Sequence, residues 1–156
     1  MKKVVLHTFF AICLLSLLYG CNEHTVYHSF QSLSKDGWKK SDTLFFYVDV
    51  PDSLEHYDLN IQVRNRSDYP YQNLSLTIVH NLQDTCCWKK ENLTCRLTNE
   101  DGQWSGNGWG AFFQNSYDLS QLVTLQSGIH TIKIAHGMKD SILIGVSDVG
   151  VRIDRY

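Results

Sequence analysis

The chain has 156 residues, with 14 Lys plus Arg against 16 Asp plus Glu and a formal charge of −2. At 43% hydrophobic and 19% charged residues, with only 2 Pro, it reads as globular and not as disordered or collagen-like. A mildly acidic chain of this size forms one domain and binds polyanions poorly, which argues against nucleic acid as a partner.

The N-terminus carries the most specific signal. Lys2 and Lys3 precede a mostly apolar run from Val4 to Tyr19, and small Gly20 stands before Cys21. This predicts a cleaved leader over 1–20, too short to remain as a spanning helix. Leu18-Tyr19-Gly20-Cys21 resembles the bacterial lipobox, although Tyr19 is bulkier than the residue usual there. The resemblance implies acylation of Cys21 by palmitate-like chains. Each buried methylene contributes roughly 0.8 kcal/mol, so two or three chains hold a domain firmly on a bilayer. Asn22 is not the Asp that retains many lipoproteins in an inner membrane, and Glu23 is a single acid where surface-exported lipoproteins carry a run. The expected location is therefore the periplasmic face of the outer membrane.

Residues 21–36 read as a lipid-anchored tether and 37–156 as one domain. Within it, Thr43 to Val50 sets Leu44, Phe46, Val48 and Val50 on one face, and Pro51-Asp52 ends the run. Tyr57 to Arg64 alternates Tyr57, Leu59, Ile61 and Val63 against Asp58, Asn60, Gln62 and Arg64. Asn73 to His80 points Leu74, Leu76 and Ile78 inward. Runs at Gly128 to Ala135, Ser141 to Val146 and Val149 to Ile153 continue the period of two, and a weak helical pattern appears at Tyr117 to Leu125. Short alternating strands with turn signals near every tenth residue predict an all-β fold, an antiparallel β-sandwich of jelly-roll type.

Cys13 leaves with the leader and Cys21 is the lipid site, so Cys86, Cys87 and Cys95 remain. A hairpin pairing Leu82 to Trp88 with Leu93 to Leu97 would set Cys86 opposite Cys95, a candidate disulfide, with Cys87 on the other face. Zinc with His80 is the competing reading, but adjacent cysteines lack the two-residue spacing of a zinc knuckle, so no metal is expected. The histidines are scattered and read as structural or solvated.

Asp101 to Gly110 carries Gly102, Gly106, Gly108 and Gly110 with Trp104 and Trp109. No strand-to-helix transition or Lys frames a phosphate cradle, and the pattern fits a strand pair with tight turns. There is no nucleophile elbow and no paired carboxylate motif. Neither a catalytic residue nor a cofactor is expected, and the chain does not read as an enzyme. Trp104, Trp109 and Tyr71 are candidate contacts for a partner or a glycan.

Gly37-Trp38, Asp42-Thr43-Leu44-Phe45, Tyr57-Asp58-Leu59, Val63-Arg64-Asn65 and Tyr69-Pro70-Tyr71-Gln72-Asn73-Leu74 are similar to the GldH family of gliding-motility lipoproteins from Bacteroidota. The likeness continues in Asp101-Gly102-Gln103-Trp104-Ser105-Gly106 and in Gly145-Val146-Ser147-Asp148-Val149-Gly150-Val151-Arg152. It implies an outer-membrane lipoprotein tied to gliding motility, with no catalytic residues to carry over. Asp42-Thr43-Leu44, Asp52-Ser53-Leu54 and Asp140-Ser141-Ile142 resemble the O-glycosylation signal of that phylum, which makes Thr43, Ser53 and Ser141 candidate modification sites.

Two functions follow as expectations. The first is a non-catalytic component of an envelope protein complex, such as a gliding, secretion or outer-membrane assembly machine. The second is a carbohydrate-binding envelope lipoprotein.

Overall fold

The computed structural model describes residues 24–156, all strand, turn and loop; the leader and Cys21 lie outside the described residues. The strands are β1 (Thr25–Ser32), β2 (Trp38–Lys39), β3 (Leu44–Val50), β4 (His56–Arg66), β5 (Asn73–His80) and β6 (Lys89–Arg96), followed by β7 (Asn107–Trp109), β8 (Phe112–Thr124), β9 (Gly128–His136), β10 (Ile142–Leu143) and β11 (Val146–Arg155). One sheet runs β1-β11-β4-β8-β7 and the other β3-β9-β5-β6, while β2 and β10 pair separately. Taking the eight longer strands in chain order, the first sheet reads first, eighth, third, sixth, and the second reads second, seventh, fourth, fifth. That nested antiparallel order is a jelly roll.

Strict alternation makes the core. On β3 and β5 every second residue is buried, and on β4 Tyr57, Leu59, Ile61 and Val63 are buried as their period of two requires. Register then places these residues side by side: Val63 beside Val149, Ile61 beside Val151 and Leu59 beside Ile153 across β4 and β11. In the facing sheet Leu44 lies beside Ile134 and Phe46 beside Ile132. The two inner faces join in one cluster that Trp38 closes at the end, its Nε1 donating to the Asp42 carbonyl at 2.9 Å.

Four expectations are corrected. The assigned tether overlaps β1, which pairs with β11 from Thr25 to Ser32, so the folded body begins well before Gly37. The weak helical pattern at Tyr117 to Leu125 belongs to β8. Register irregularities opposite Tyr57 to Asn60 shift its phase, leaving half-buried Tyr117, Leu119 and Val123 at unequal spacing. Ser141 to Val146 is not one strand: β10 ends at Leu143, Gly145 turns the chain with φ 85°, and β11 starts at Val146. The hairpin drawn around Lys89 to Asn92 is absent too, because β6 pairs with β5 and Leu82 to Trp88 is loop.

That last change undoes the candidate disulfide. Cys95 sits opposite Leu74 and points between the sheets, whereas Cys86 and Cys87 are exposed in the loop, and all three are free thiols. Asp84 organises that loop by accepting the Cys86 N–H at 2.8 Å.

Candidate interaction surfaces

The four-stranded sheet turns one face to the core and the other to solvent, and its outer face is unusually apolar. On β3 the outward positions are Phe45 and Tyr47, 42% and 65% exposed, and Asp49, and on β9 they include Ile129, 72% exposed beside Asp49. Strand register brings Phe45 beside Lys133 and Lys133 beside Val79, with Lys90 next across the sheet. Trp88, half exposed just before β6, lies on the same face. The Lys133 ammonium stands 4.0 Å from the Trp88 ring centroid and 6.0 Å from that of Phe45. A cation held between two rings in water is worth about 0.5–1 kcal/mol and keeps both rings upright. An aromatic patch with Lys133 and Lys90 on an otherwise acidic chain has the composition of a protein-contact surface.

This surface is not among the sequence candidates Trp104, Trp109 and Tyr71. The readable signal was β3 itself, where Phe45 and Tyr47 occupy alternate positions that ordinarily carry polar residues.

The three aromatic candidates do not form one platform. Trp104 is half-buried, its ring centroid 6.3 Å from that of Tyr69 and 5.9 Å from that of Phe113, so it seals the core. Tyr71 packs edge-on against Tyr69, their ring centroids 5.8 Å apart, and its hydroxyl donates to Asp140 at 2.6 Å, a bond that raises the phenol above its ordinary pKa. Trp109 is the most open of the three, 89% exposed on β7 against 38% for Tyr71. The glycine pattern around it folds as a tight β7–β8 pair. Thr43, Ser53 and Ser141 are all exposed.

The histidines of the four-stranded sheet face inward. His80 and His136 are buried, and burial lowers both imidazoles below their usual pKa, with Glu91 pulling His80 the other way. Glu91 is drawn below the usual carboxylate range; burial opposes this, and Lys89 and His80 outweigh it. Among the described residues no three His, Cys, Asp or Glu gather into a metal-binding group, and no helix is long and apolar enough to cross a membrane.

The family model described as GldH lipoprotein matches residues 25–153. The chain belongs to the GldH lipoprotein family. The matched span begins with β1, in agreement with the corrected start of the folded body. This GldH-family chain is similar to the "Gliding motility lipoprotein GldH homolog" of Christiangramia forsetii, 31% identical over 156 residues and covering 94% of each chain. It is also similar to the "Gliding motility lipoprotein GldH" of Flavobacterium johnsoniae, 26% identical over 146 residues, covering 89% of this chain and 90% of that one. Among solved structures, a family 35 carbohydrate binding module from an environmental isolate aligns with a TM-score of 0.43 and 12% identity, over 85% of this chain and 79% of that one. A likeness that loose carries no argument about ligands. Membership places the chain among membrane-anchored lipoproteins linked to gliding motility.

Proposed function

We propose that this GldH-family protein is an outer-membrane lipoprotein, anchored through Cys21 on the periplasmic side, that serves an envelope machine by protein contact and not by catalysis. The observation that carries the contact role is the outer face of the four-stranded sheet, where Lys133 stands between the Phe45 and Trp88 rings and exposed Tyr47 and Ile129 continue the face along β3 and β9. Its partner presents apolar and acidic groups, matching the rings and the lysines. The lipobox and the family support the anchor. O-glycosylation at Thr43, Ser53 and Ser141 fits the same compartment, and the intact mass of the protein from its native host tests it.

Affinity purification from outer membranes of the native host, followed by mass spectrometry, tests the contact role. The parent is expected to return an envelope protein in defined ratio, and Phe45→Ala with Tyr47→Ala to reduce its recovery at least tenfold, since buried aromatic anchors dominate such interfaces. Recovery of no partner, or equal recovery with the variant, defeats it. Failure of labelled palmitate to enter the parent defeats the anchor.

A further inference from the structure

The outer face of the five-stranded sheet lies on the opposite side of the sandwich and has a different chemistry. Register lines up one side chain from every strand: Asn107 on β7 opposite Gln114 on β8, Gln114 opposite Arg64 on β4, Arg64 opposite Asp148 on β11, and Asp148 opposite Ser32 on β1. At the usual strand spacing this polar row is about 19 Å long.

Its members hold one another in place. Arg64 Nε donates to Gln114 Oε1 at 2.8 Å, and Ser32 Oγ donates to Asp148 Oδ1 at 2.6 Å. The Arg64 guanidinium carbon lies over Phe30, 3.8 Å from its ring centroid, and Phe30 is seated above Gly150, where a Cβ would come within 2.7 Å of the ring. In the adjoining row Trp109 stands opposite Phe112, 89% and 49% exposed. Asn107, Gln114, Arg64 and Asp148 of the row, with Trp109, Phe112 and Phe113, line a cleft of about 400 Å³.

Three features narrow the ligand. Arg64 and Asp148 balance each other, so the cleft offers no net charge to select a polyanion. Amide, guanidinium, hydroxyl and carboxylate groups alternate donors with acceptors along the row, as groups that both donate and accept require. An indole left almost wholly in water beside a second ring supplies an apolar floor at the rim. A neutral glycan strand has this complement, with hydroxyls along its edges and C–H faces on its rings.

We propose that the cleft binds a neutral glycan strand, with Trp109 and Phe112 stacking on sugar rings and Asn107, Gln114, Arg64 and Asp148 engaging hydroxyls. Trp104 and Tyr71 take no part. The site is separate from the aromatic face of the four-stranded sheet, so either role survives the loss of the other.

The test uses the full lipidated chain in a sugar-free detergent such as lauryldimethylamine oxide, titrated with chitohexaose, mannohexaose and xylohexaose and followed by tryptophan fluorescence and calorimetry. At least one hexasaccharide is expected to bind saturably and to quench emission in a way that Trp109→Phe removes. Trp109→Ala is expected to weaken binding at least tenfold and Gln114→Ala severalfold, with melting unchanged because Trp109 is exposed, whereas Phe45→Ala binds as the parent does. Which hexasaccharide binds separates an amino-sugar strand from an unsubstituted one. The proposal is overturned if none of the three binds, if Trp109→Ala and Gln114→Ala bind like the parent, or if the cleft instead takes up an extended peptide along β7.

Discussion

Cys95 lies between the sheets, and burial pushes its thiol up to about 12, whereas Cys86 and Cys87 face solvent. A neutral, enclosed thiol reacts slowly with disulfide reagents. With the leader removed and Cys21 acylated as proposed, the native protein at pH 8 is therefore expected to titrate two thiols with Ellman's reagent, and a third on unfolding in urea without reductant. A bond between Cys86 and Cys95 would leave only one thiol in both states. His136 gives a second test at this scale. Its Nε2 donates to the Trp38 carbonyl at 3.2 Å, while the buried Nδ1 meets no partner, and burial keeps the ring below its ordinary pKa. In the unfolded chain His136 and His80 take up protons near pH 6.5 while in the folded chain they resist, so stability falls as pH drops through that value. Urea midpoints are expected to decline between pH 7 and 5.5, and His136→Gln to flatten the decline. Glu91 acts in the opposite range: its contribution is present above the usual carboxylate pKa and is lost only at lower pH.

Gly145 shows how elements depend on single backbone positions. It joins β10 to β11 with φ 85°, and a Cβ there would fall 2.5 Å from Tyr69 Cα. Gly145→Ala combines left-handed strain with overpacking, about 2–4 kcal/mol in all, readable as a lower urea midpoint with an unchanged slope. At this scale β3, β4, β5 and β9 were legible because most of their inner positions are apolar in strict alternation, with Asn65, His80, His130 and His136 as polar members of the same faces. β1 was not, since Ser29 and Gln31 stand opposite Val151 and Val149 while Phe30 turns outward to Arg64. The inverted pattern of an edge strand looks like tether. β8 was obscured by its bulges. The polar row has no sequence signal, because Arg64, Gln114 and Asp148 are far apart in the chain and meet only through register.

For the whole molecule, the consequence of β1 is that the domain boundary lies near residue 24. β1 covers β11, whose Val149, Val151 and Ile153 are wholly buried. A chain starting at 24 is expected to unfold cooperatively on heating, whereas one starting at 37 exposes the β11 edge and is expected to aggregate or melt without a transition, as followed by circular dichroism. The class of fold and its sandwich nature follow from the strand periods alone, but the nested order depends on pairings between strands distant in the chain.

The place where β1 starts also sets the reach of the molecule. Three residues separate an acylated Cys21 from Thr25, four Cα–Cα steps and so a leash of about 14 Å at full stretch. The Thr25 end, with the C-terminus and the β3–β4 loop beside it, would therefore hug the bilayer like a foot. Ser32 lies a full strand further out, about 23 Å along β1, and carries Asp148, Arg64 and the Trp109 rim with it. Such a body has a fixed top and bottom, and whatever it grips at the top is met at a set height above the lipid.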